Sequence, residues 1–312
     1  MAGPLIASRP AGGTVKTRAA ALSIASNTLL IALKLAAGAI TGSVAIITEA
    51  MHSSIDLVAS IVAYVSVRKA DKPADADHPY GHDKIENLAA AIEAMLILVG
   101  SGVIVFESVR RLAAGAPEVD ALWVGIAVIA FSVVANVIVS SRLASQARAT
   151  DSPALEGDAA HLRTDAATSA AVLVGLLLVQ LTGAAWLDPV IALAVAAAIV
   201  WAGVRLLSRA SRVLVDEALP AEELDAVRGA IERSGPAGVC GYHQLRARRA
   251  GSRRYVDLHV QFVEGTTLEA AHSTAHELQS EIKERLRGAD VLIHLEPADR
   301  VRPGTEIPRE AE

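Results

Sequence analysis

Six apolar segments fill most of the first two-thirds of the chain, and they constrain its fold more than any other feature. A membrane-spanning α-helix needs about 20 mainly apolar residues to cross a hydrocarbon layer about 30 Å thick. The segments lie at about 19–41, 44–67, 87–112, 119–141, 163–182 and 187–207, with turn-forming residues between them. With 52% hydrophobic residues among 312, the chain is too apolar for an ordinary soluble protein. We therefore predict an α-helical membrane protein with six transmembrane helices.

Positive charges divide unevenly between the two sides of these predicted helices. Lys and Arg cluster before the first segment, between residues 68 and 84, between 142 and 148, and after 205. The opposite side carries Arg110, Arg111 and little else. Cytoplasmic loops hold the excess of Lys and Arg in membrane proteins, so this distribution predicts cytoplasmic N- and C-termini.

The rest of the chain is polar and is predicted to lie in the cytoplasm. Residues 1–18 lack the long apolar core of a signal peptide and are interpreted as a disordered lead. Residues 19–208 form the predicted six-helix transmembrane domain, and residues 209–298 have the composition of a soluble domain. The tail at 299–312 is predicted to be disordered.

Periodicity within residues 209–298 predicts a small cytoplasmic α+β domain. Its clearest element is YVDLHVQFV, Tyr255 to Val263, in which apolar and polar residues alternate strictly, as in a half-buried strand. The order αββαβ in about 90 residues is typical of a ferredoxin-like domain. In chain order the predicted elements are a helix after Pro220, a strand at 239–246, the strand at 255–263, a helix at 268–286 and a strand at 291–295.

Two His-x-x-x-Asp pairs interrupt the apolar segments. His52 and Asp56 lie in the second segment, and His161 and Asp165 lie at the start of the fifth. Residues four apart share one face of a helix, so each pair can point at one spot. An Asp at the centre of a membrane helix costs at least about 2.5–3.5 kcal/mol, so it needs a partner or a function. Such pairs could hold helices together by hydrogen bonds, but identical spacing on two helices favours a cation site.

The residue types in the two pairs indicate which cation they would bind. Two imidazoles and two carboxylates supply four N and O ligands, which suits tetrahedral Zn²⁺. Histidine, which titrates near pH ~6.5, must be neutral to bind a metal, so protons and metal compete for it. If the two helices move, the site can open to each side in turn. The predicted function is Zn²⁺ efflux by metal/proton antiport with alternating access.

Other functions are weaker alternatives on this sequence. The same transporter could carry Fe²⁺, Mn²⁺, Co²⁺ or Cd²⁺ as its main cargo. A metal-responsive membrane sensor that moves no ions is a remote alternative, because it has no use for ligands inside the membrane. The net charge of −5 disfavours nucleic acid as a partner. No nucleophile–base set or phosphate-binding loop is found in the sequence, so we do not predict an enzyme.

Two consecutive stretches resemble the cation diffusion facilitator family, in particular its bacterial zinc and ferrous-iron efflux members. They are LKLAAGAITGSVAIITEAMHSSIDLVAS, Leu33 to Ser60, and ADADHPYGHDKIENLAA, Ala74 to Ala90. The resemblance covers nearly the whole chain. It implies a homodimer in the bacterial inner membrane that exchanges divalent metal for protons. By position it also implies a transport site made of His52, Asp56, His161 and Asp165, of the kind found in zinc-preferring members.

The loop DADHPYGHDK, Asp75 to Lys84, is a second candidate metal site. Its turn can bring His78 and His82 together with one carboxylate. The residues alone favour an ordinary solvated loop, whereas the family resemblance implies metal binding at Asp75, His78 and His82.

The soluble domain is the third candidate, because it holds five of the nine histidines. The density of His243, His259, His272, His276 and His294, together with Glu296, indicates a metal cluster. The resemblance implies a binuclear Zn²⁺ site at the dimer interface, in which His276 has no assigned part and Glu296 replaces a usual Asp. Its implied ligands are His243, His259, His272, His294 and Glu296.

Overall fold

The computed structural model describes residues 12–41, 44–114, 123–182, 184, 186–234 and 238–298. The chain divides into two compact units, Met1–Ser211 and Arg212–Glu312. The first unit is helical, and the second contains a three-stranded sheet with two helices.

The helical unit follows the predicted apolar segments. Among the described residues, four helices are long and apolar enough to cross a membrane, with spans Thr14–Ala36, Lys84–Arg110, Ala127–Thr150 and Pro189–Leu214. The six helices are α1 (Gly12–Thr41), α2 (Val44–Ala70), α3 (Lys84–Ala114), α4 (Trp123–Thr150), α5 (Pro153–Thr182) and α6 (Leu187–Leu214).

Small residues let these helices approach one another closely. Ala19 and Ala20 of α1 pack in one buried cluster with Val67 of α2 and Ala147 of α4. A Cβ at Gly157 of α5 would lie within 3.2 Å of a Cα atom of α3. Membrane helices associate through such close backbone contacts because lipid provides no hydrophobic force between them.

The start of α1 corrects one prediction. The segment 1–18 was expected to be disordered, but residues 12–18 belong to α1. Lys16 accounts for this order, since its buried ammonium lies 2.8 Å from the carboxylate of Glu86 in α3. The rest of the predicted disorder, at 1–11 and 299–312, lies outside the described residues.

The second unit has the predicted order αββαβ. The elements are α7 (Ala221–Arg233), β1 (Val239–Ala250), β2 (Arg253–Phe262), α8 (Leu268–Arg285) and β3 (Ala289–Pro297). The strands lie in the order β1-β2-β3, with β1 and β2 antiparallel and β2 and β3 parallel. A parallel pair requires a crossover connection, which α8 supplies.

The alternation in β2 decides which face of this sheet is covered by helices. Val256, Leu258 and Val260 are buried in one cluster with Ile231 of α7 and Leu278 of α8. Successive side chains of a strand point to opposite faces. The intervening polar residues of β2, His259 among them, therefore lie on the face away from α7 and α8.

Candidate metal centres

The intramembrane centre joins two helices that are far apart in sequence. His161 Nε2 of α5 lies 3.3 Å from Asp56 Oδ1 of α2 and 3.8 Å from Asp165 Oδ2, one turn further along α5. The three potential ligand atoms all lie within 4.8 Å of one another. Asp56 and His161 are buried and Asp165 is partly buried, so two carboxylates and one imidazole converge in the helical unit. This set can hold a divalent cation.

His52, the fourth predicted ligand, is placed only through its backbone. It lies in α2, one helical turn before Asp56, and its side chain is outside the described part of the structure. Its participation in the centre stays a prediction.

A small cavity adjoins the two carboxylates. Its volume is about 20 Å³, which is enough for one small ion or water molecule. Lys34 of α1 is buried at its wall and donates a hydrogen bond of 2.6 Å to Ser53 of α2. The lining residues are mostly polar: Asn27, Leu30, Lys34, Ser53, Asp56, Asn136, Asp165, Thr168 and Ser169.

The loop centre is built around Asp75. One carboxylate oxygen accepts hydrogen bonds from the backbone N–H groups of Asp77 and His78, and the bond from His78 lowers the pKa of Asp75. His78 Nδ1 and His82 Nε2 each lie 3.4 Å from a different oxygen of Asp75. Gly81 has φ +89°, which favours glycine and lets the chain turn between the two histidines. The structure thus brings together Asp75, His78 and His82.

The centre in the second unit, which we call the soluble unit, is set by strand register. His243, His259 and His294 are cross-strand neighbours on β1, β2 and β3, so their side chains form a row. Glu296, two residues after His294, reaches back to that row. His243 Nε2 lies 2.8 Å from Glu296 Oε2, and His259 Nδ1 lies 2.9 Å from Glu296 Oε1.

These contacts stabilise the ionised form of Glu296. Hydrogen bonds from His243 and His259 lower the pKa of the carboxyl to about 2, so it is ionised at neutral pH. His294 is at the edge of the group, with its Nε2 3.6 Å from Glu296 Oε1. An anionic carboxylate among three imidazoles is a donor set suited to Zn²⁺ and similar cations.

His272 is not part of this group within one chain. It lies on α8, and its Nε2 is 3.1 Å from His276 Nε2 on the next turn. Because α8 packs on the other face of the sheet, a shared centre with Glu296 would need a second protomer.

Two family models match the chain over both units. One, described as the cation efflux transmembrane domain, matches residues 20–215, and the other, described as the cation efflux protein cytoplasmic domain, matches residues 219–298.

The chain belongs to the cation diffusion facilitator family. It is a cation-efflux membrane transporter, as members of this family are. It is 35% identical over 281 residues to the uncharacterized transporter sll1263 of Synechocystis sp., with 90% of each chain covered. It is 32% identical over 304 residues to the cation-efflux pump FieF of Shigella flexneri, with 96% of each chain covered.

A solved structure is also similar to part of this family member. The metal-bound C-terminal domain of the CzcD transporter from Thermotoga maritima is 25% identical, with a TM-score of 0.24. The match covers 27% of this chain and all of that domain.

The transporter also contains a buried polar group that sequence reasoning missed. Asp158 lies one turn before His161 on α5, and its Oδ1 accepts hydrogen bonds of 3.1 Å from Ser23 of α1 and Ser60 of α2. Asn27 of α1 donates a further bond to Ser60. The sequence contained a signal for this group. Asp158 precedes His161 by three residues and Ser60 follows Asp56 by four, so each lies on the same helix face as a predicted metal ligand.

Proposed function

We propose that this cation diffusion facilitator exports Zn²⁺ from the cytoplasm in exchange for protons. The observation that carries the proposal is the convergence of Asp56 on α2 with His161 and Asp165 on α5. These charged and titratable groups lie in a unit built from mainly apolar helices. Ionisable residues in membrane helices are retained where they bind ions or protons.

The donor set supports a divalent cargo. Two carboxylates offset the charge of the ion, and an imidazole nitrogen suits Zn²⁺ better than it suits Ca²⁺ or Mg²⁺. His52 would complete a four-ligand tetrahedral site, since it precedes Asp56 by one helical turn. The same donors also bind Fe²⁺, Mn²⁺, Co²⁺ or Cd²⁺, which are the alternative cargoes.

Coupling to protons follows from the chemistry of the same groups. An imidazole binds metal only through an unprotonated nitrogen, and carboxylates bind it in their ionised form. Zn²⁺ and protons therefore exclude one another from Asp56, His161 and Asp165. Entry of protons from outside would release the metal there, and metal arriving from the cytoplasm would displace the protons.

Alternating access is supported by the division of the ligands between two helices. Asp56 moves with α2, whereas His161 and Asp165 move together with α5. A small displacement between these helices would change the 3.3 Å contact of His161 with Asp56 while preserving the pair on α5. The site can therefore be weakened and opened without unfolding either helix.

The proposed location is the bacterial inner membrane, with both termini in the cytoplasm. The excess of Lys and Arg on one side of the helices supports this orientation. The loop centre at Asp75, His78 and His82 then lies on the cytoplasmic side, because it follows the Arg68 and Lys69 end of α2. It would bind cytoplasmic metal before transport. The activity is transport, with no enzymatic step.

The soluble unit is proposed to stabilise a homodimer and to respond to cytoplasmic Zn²⁺. The convergence of His243, His259 and Glu296 in one chain, with potential ligand atoms within 4.8 Å of one another, supports this role. His294 lies beside them, and a second protomer could supply His272 to complete a binuclear centre at the interface. Metal would then link the two protomers in proportion to its cytoplasmic concentration.

Zn²⁺ uptake into proteoliposomes under an imposed pH gradient tests the proposal. We compare the wild type with Asp56→Ala and, as a matched control, Ser132→Ala, which removes a buried hydroxyl bonded within its own helix α4. Loss of flux in Asp56→Ala alone, with folding and dimerisation retained, is the expected result. Unchanged flux in Asp56→Ala would make the buried polar groups structural. No flux of any divalent metal by the wild type would favour a sensor.

A further inference from the structure

Glu93 of α3 is a fully buried carboxylate that the metal site does not use. Neither of its side-chain oxygens has a hydrogen-bond partner within the described part of the chain. Its carboxylate lies against Gly157 of α5, where an added Cβ would overlap Oε2. The residue after Gly157 is Asp158, and the two carboxylates are close enough to repel each other when both are ionised.

Asp158 is held so that one of its oxygens remains available. Ser23 and Ser60 donate to Oδ1, while buried Oδ2 has no hydrogen-bond partner among the residues described. Three buried carboxylate oxygens, two on Glu93 and one on Asp158, are thus left unsatisfied on adjoining surfaces of α3 and α5. Buried acceptors without donors are costly, and a bound cation would remove both that cost and the repulsion.

The packing around Glu93 favours a proton as that cation. The same Cβ at Gly157 would lie 3.2 Å from the Cα atom of Ala90, so α3 and α5 are nearly in backbone contact here. A proton shared between two carboxyl groups occupies no additional volume. A metal ion requires a shell of several ligands or water molecules, for which these close-packed helices provide little room.

Few other charged groups face this pair among the described residues. The groups from α1 and α2 are the neutral hydroxyls of Ser23 and Ser60. On α5, His161 lies one turn from Asp158 and acts on it electrostatically. From α6, apolar Ile199 and Leu206 pack against α3.

We propose that Glu93, together with the adjoining Asp158, binds one of the exchanged protons. The inference rests on the proposed metal/proton exchange and adds a proton site outside the metal ligands. When a divalent ion binds beside His161, its charge favours the fully ionised pair, and one proton leaves towards the cytoplasm. When the ion departs, the pair takes up one proton again, which offsets one of the two charges of the ion; the metal ligands exchange the remaining proton or protons.

Proton counting in proteoliposomes tests this role for Glu93. Internal pH and Zn²⁺ are recorded together for wild type, Glu93→Gln and Asp158→Asn, each of which keeps the side-chain shape but cannot exchange that proton. We expect either variant to lose about one proton per Zn²⁺, and the double variant to lose no more. Ser101→Ala, which removes a buried hydroxyl bonded within α3, serves as the control and should match the wild type.

A second measurement is made first on the wild type, so its main result does not depend on whether a variant folds. Zn²⁺-induced difference infrared spectroscopy of the wild type should show the loss of a protonated carboxyl band from this pair, in addition to any band from Asp56 and Asp165. The band should be missing from the Glu93→Gln spectrum.

The possible outcomes separate this inference from the proposed function. Wild-type exchange of Zn²⁺ for protons with an unchanged proton count in both variants would overturn the role of Glu93 alone. Absence of proton-linked flux in the wild type would instead overturn the proposed function.

Discussion

Substituting glutamine for Glu296 removes the carboxylate that joins two strands of the soluble unit. In the wild type, His243 and His259 each contact a different carboxylate oxygen of Glu296, at 2.8 and 2.9 Å. Glutamine has nearly the same size but no charge, and it replaces one acceptor with an amide donor. We expect Glu296→Gln to destabilise the metal-free soluble unit and to weaken its binding of Zn²⁺.

The expected magnitude follows from the lowered pKa of Glu296. Because the pKa is lower in the folded state than in the unfolded state, the ionised group stabilises the fold above pH 4.5, and this contribution is lost as pH falls towards 2. A decrease from 4.5 to about 2 corresponds to about 3 kcal/mol at pH 7. The same relation leaves about 1 kcal/mol at pH 3. Two hydrogen bonds to a charged group, at about 1.5–3 kcal/mol each, account for an effect of this size.

Hydrogen exchange measured by mass spectrometry on the full-length protein, with chelator present, provides the assay. At pH 7 we expect amides of β1, β2 and β3 to exchange about 100-fold faster in Glu296→Gln than in wild type. The difference should shrink as pH falls from 4.5 to 3. Glu217→Gln is the control, because its ion pair with Arg212 is exposed and such pairs contribute about 0–1 kcal/mol. Equal exchange rates in Glu296→Gln and wild type would refute the assigned hydrogen bonds.

Three further predictions concern packing and the loop centre. Gly157→Ala should destabilise the helical unit by about 1–3 kcal/mol, because the added methyl group overlaps the Glu93 side chain. Gly102→Ala is the control, since its methyl group enters open space and should leave stability unchanged. Thermal unfolding of both variants in detergent measures the difference. Leu278→Ala should lower the free energy of unfolding of the soluble unit by about 2–5 kcal/mol, because it leaves a cavity in the core. Hydrogen exchange measures this loss, and a loss below about 1 kcal/mol would contradict the burial of Leu278. Asp75→Asn should reduce bound Zn²⁺ by one ion per chain in equilibrium dialysis, and unchanged stoichiometry would argue for a solvated loop.

The order of the elements could be predicted because its signals are local. Hydropathy marked the apolar segments, and strict alternation from Tyr255 to Val263 marked β2 and its buried face. The i, i+4 rule likewise placed His161 and Asp165 on one side of α5. The predicted first helix begins several residues after the true start of α1, because Lys16 is ordered by Glu86, a residue 70 positions away.

The candidate sites could be predicted only in part. For the soluble unit, the sequence indicated a cluster of histidines but not which of them share a ligand. Strand register aligned His243, His259 and His294, while the position of α8 separated His272 from them within one chain. The sequence places the carboxylate of Glu93 in an apolar segment, but its neighbour Asp158 could not be identified before α3 and α5 were packed together.

By itself, the sequence determined that this protein has long apolar helices, a small αββαβ unit and acid–histidine pairs on single helical faces. These properties depend on residues within one or two turns, where covalent geometry sets the spacing. Tertiary structure alone decided that Asp56 meets His161 across 105 positions, and that Glu93 lies against Gly157. Such distances depend on how closely two helix surfaces fit, which is a property of both surfaces together.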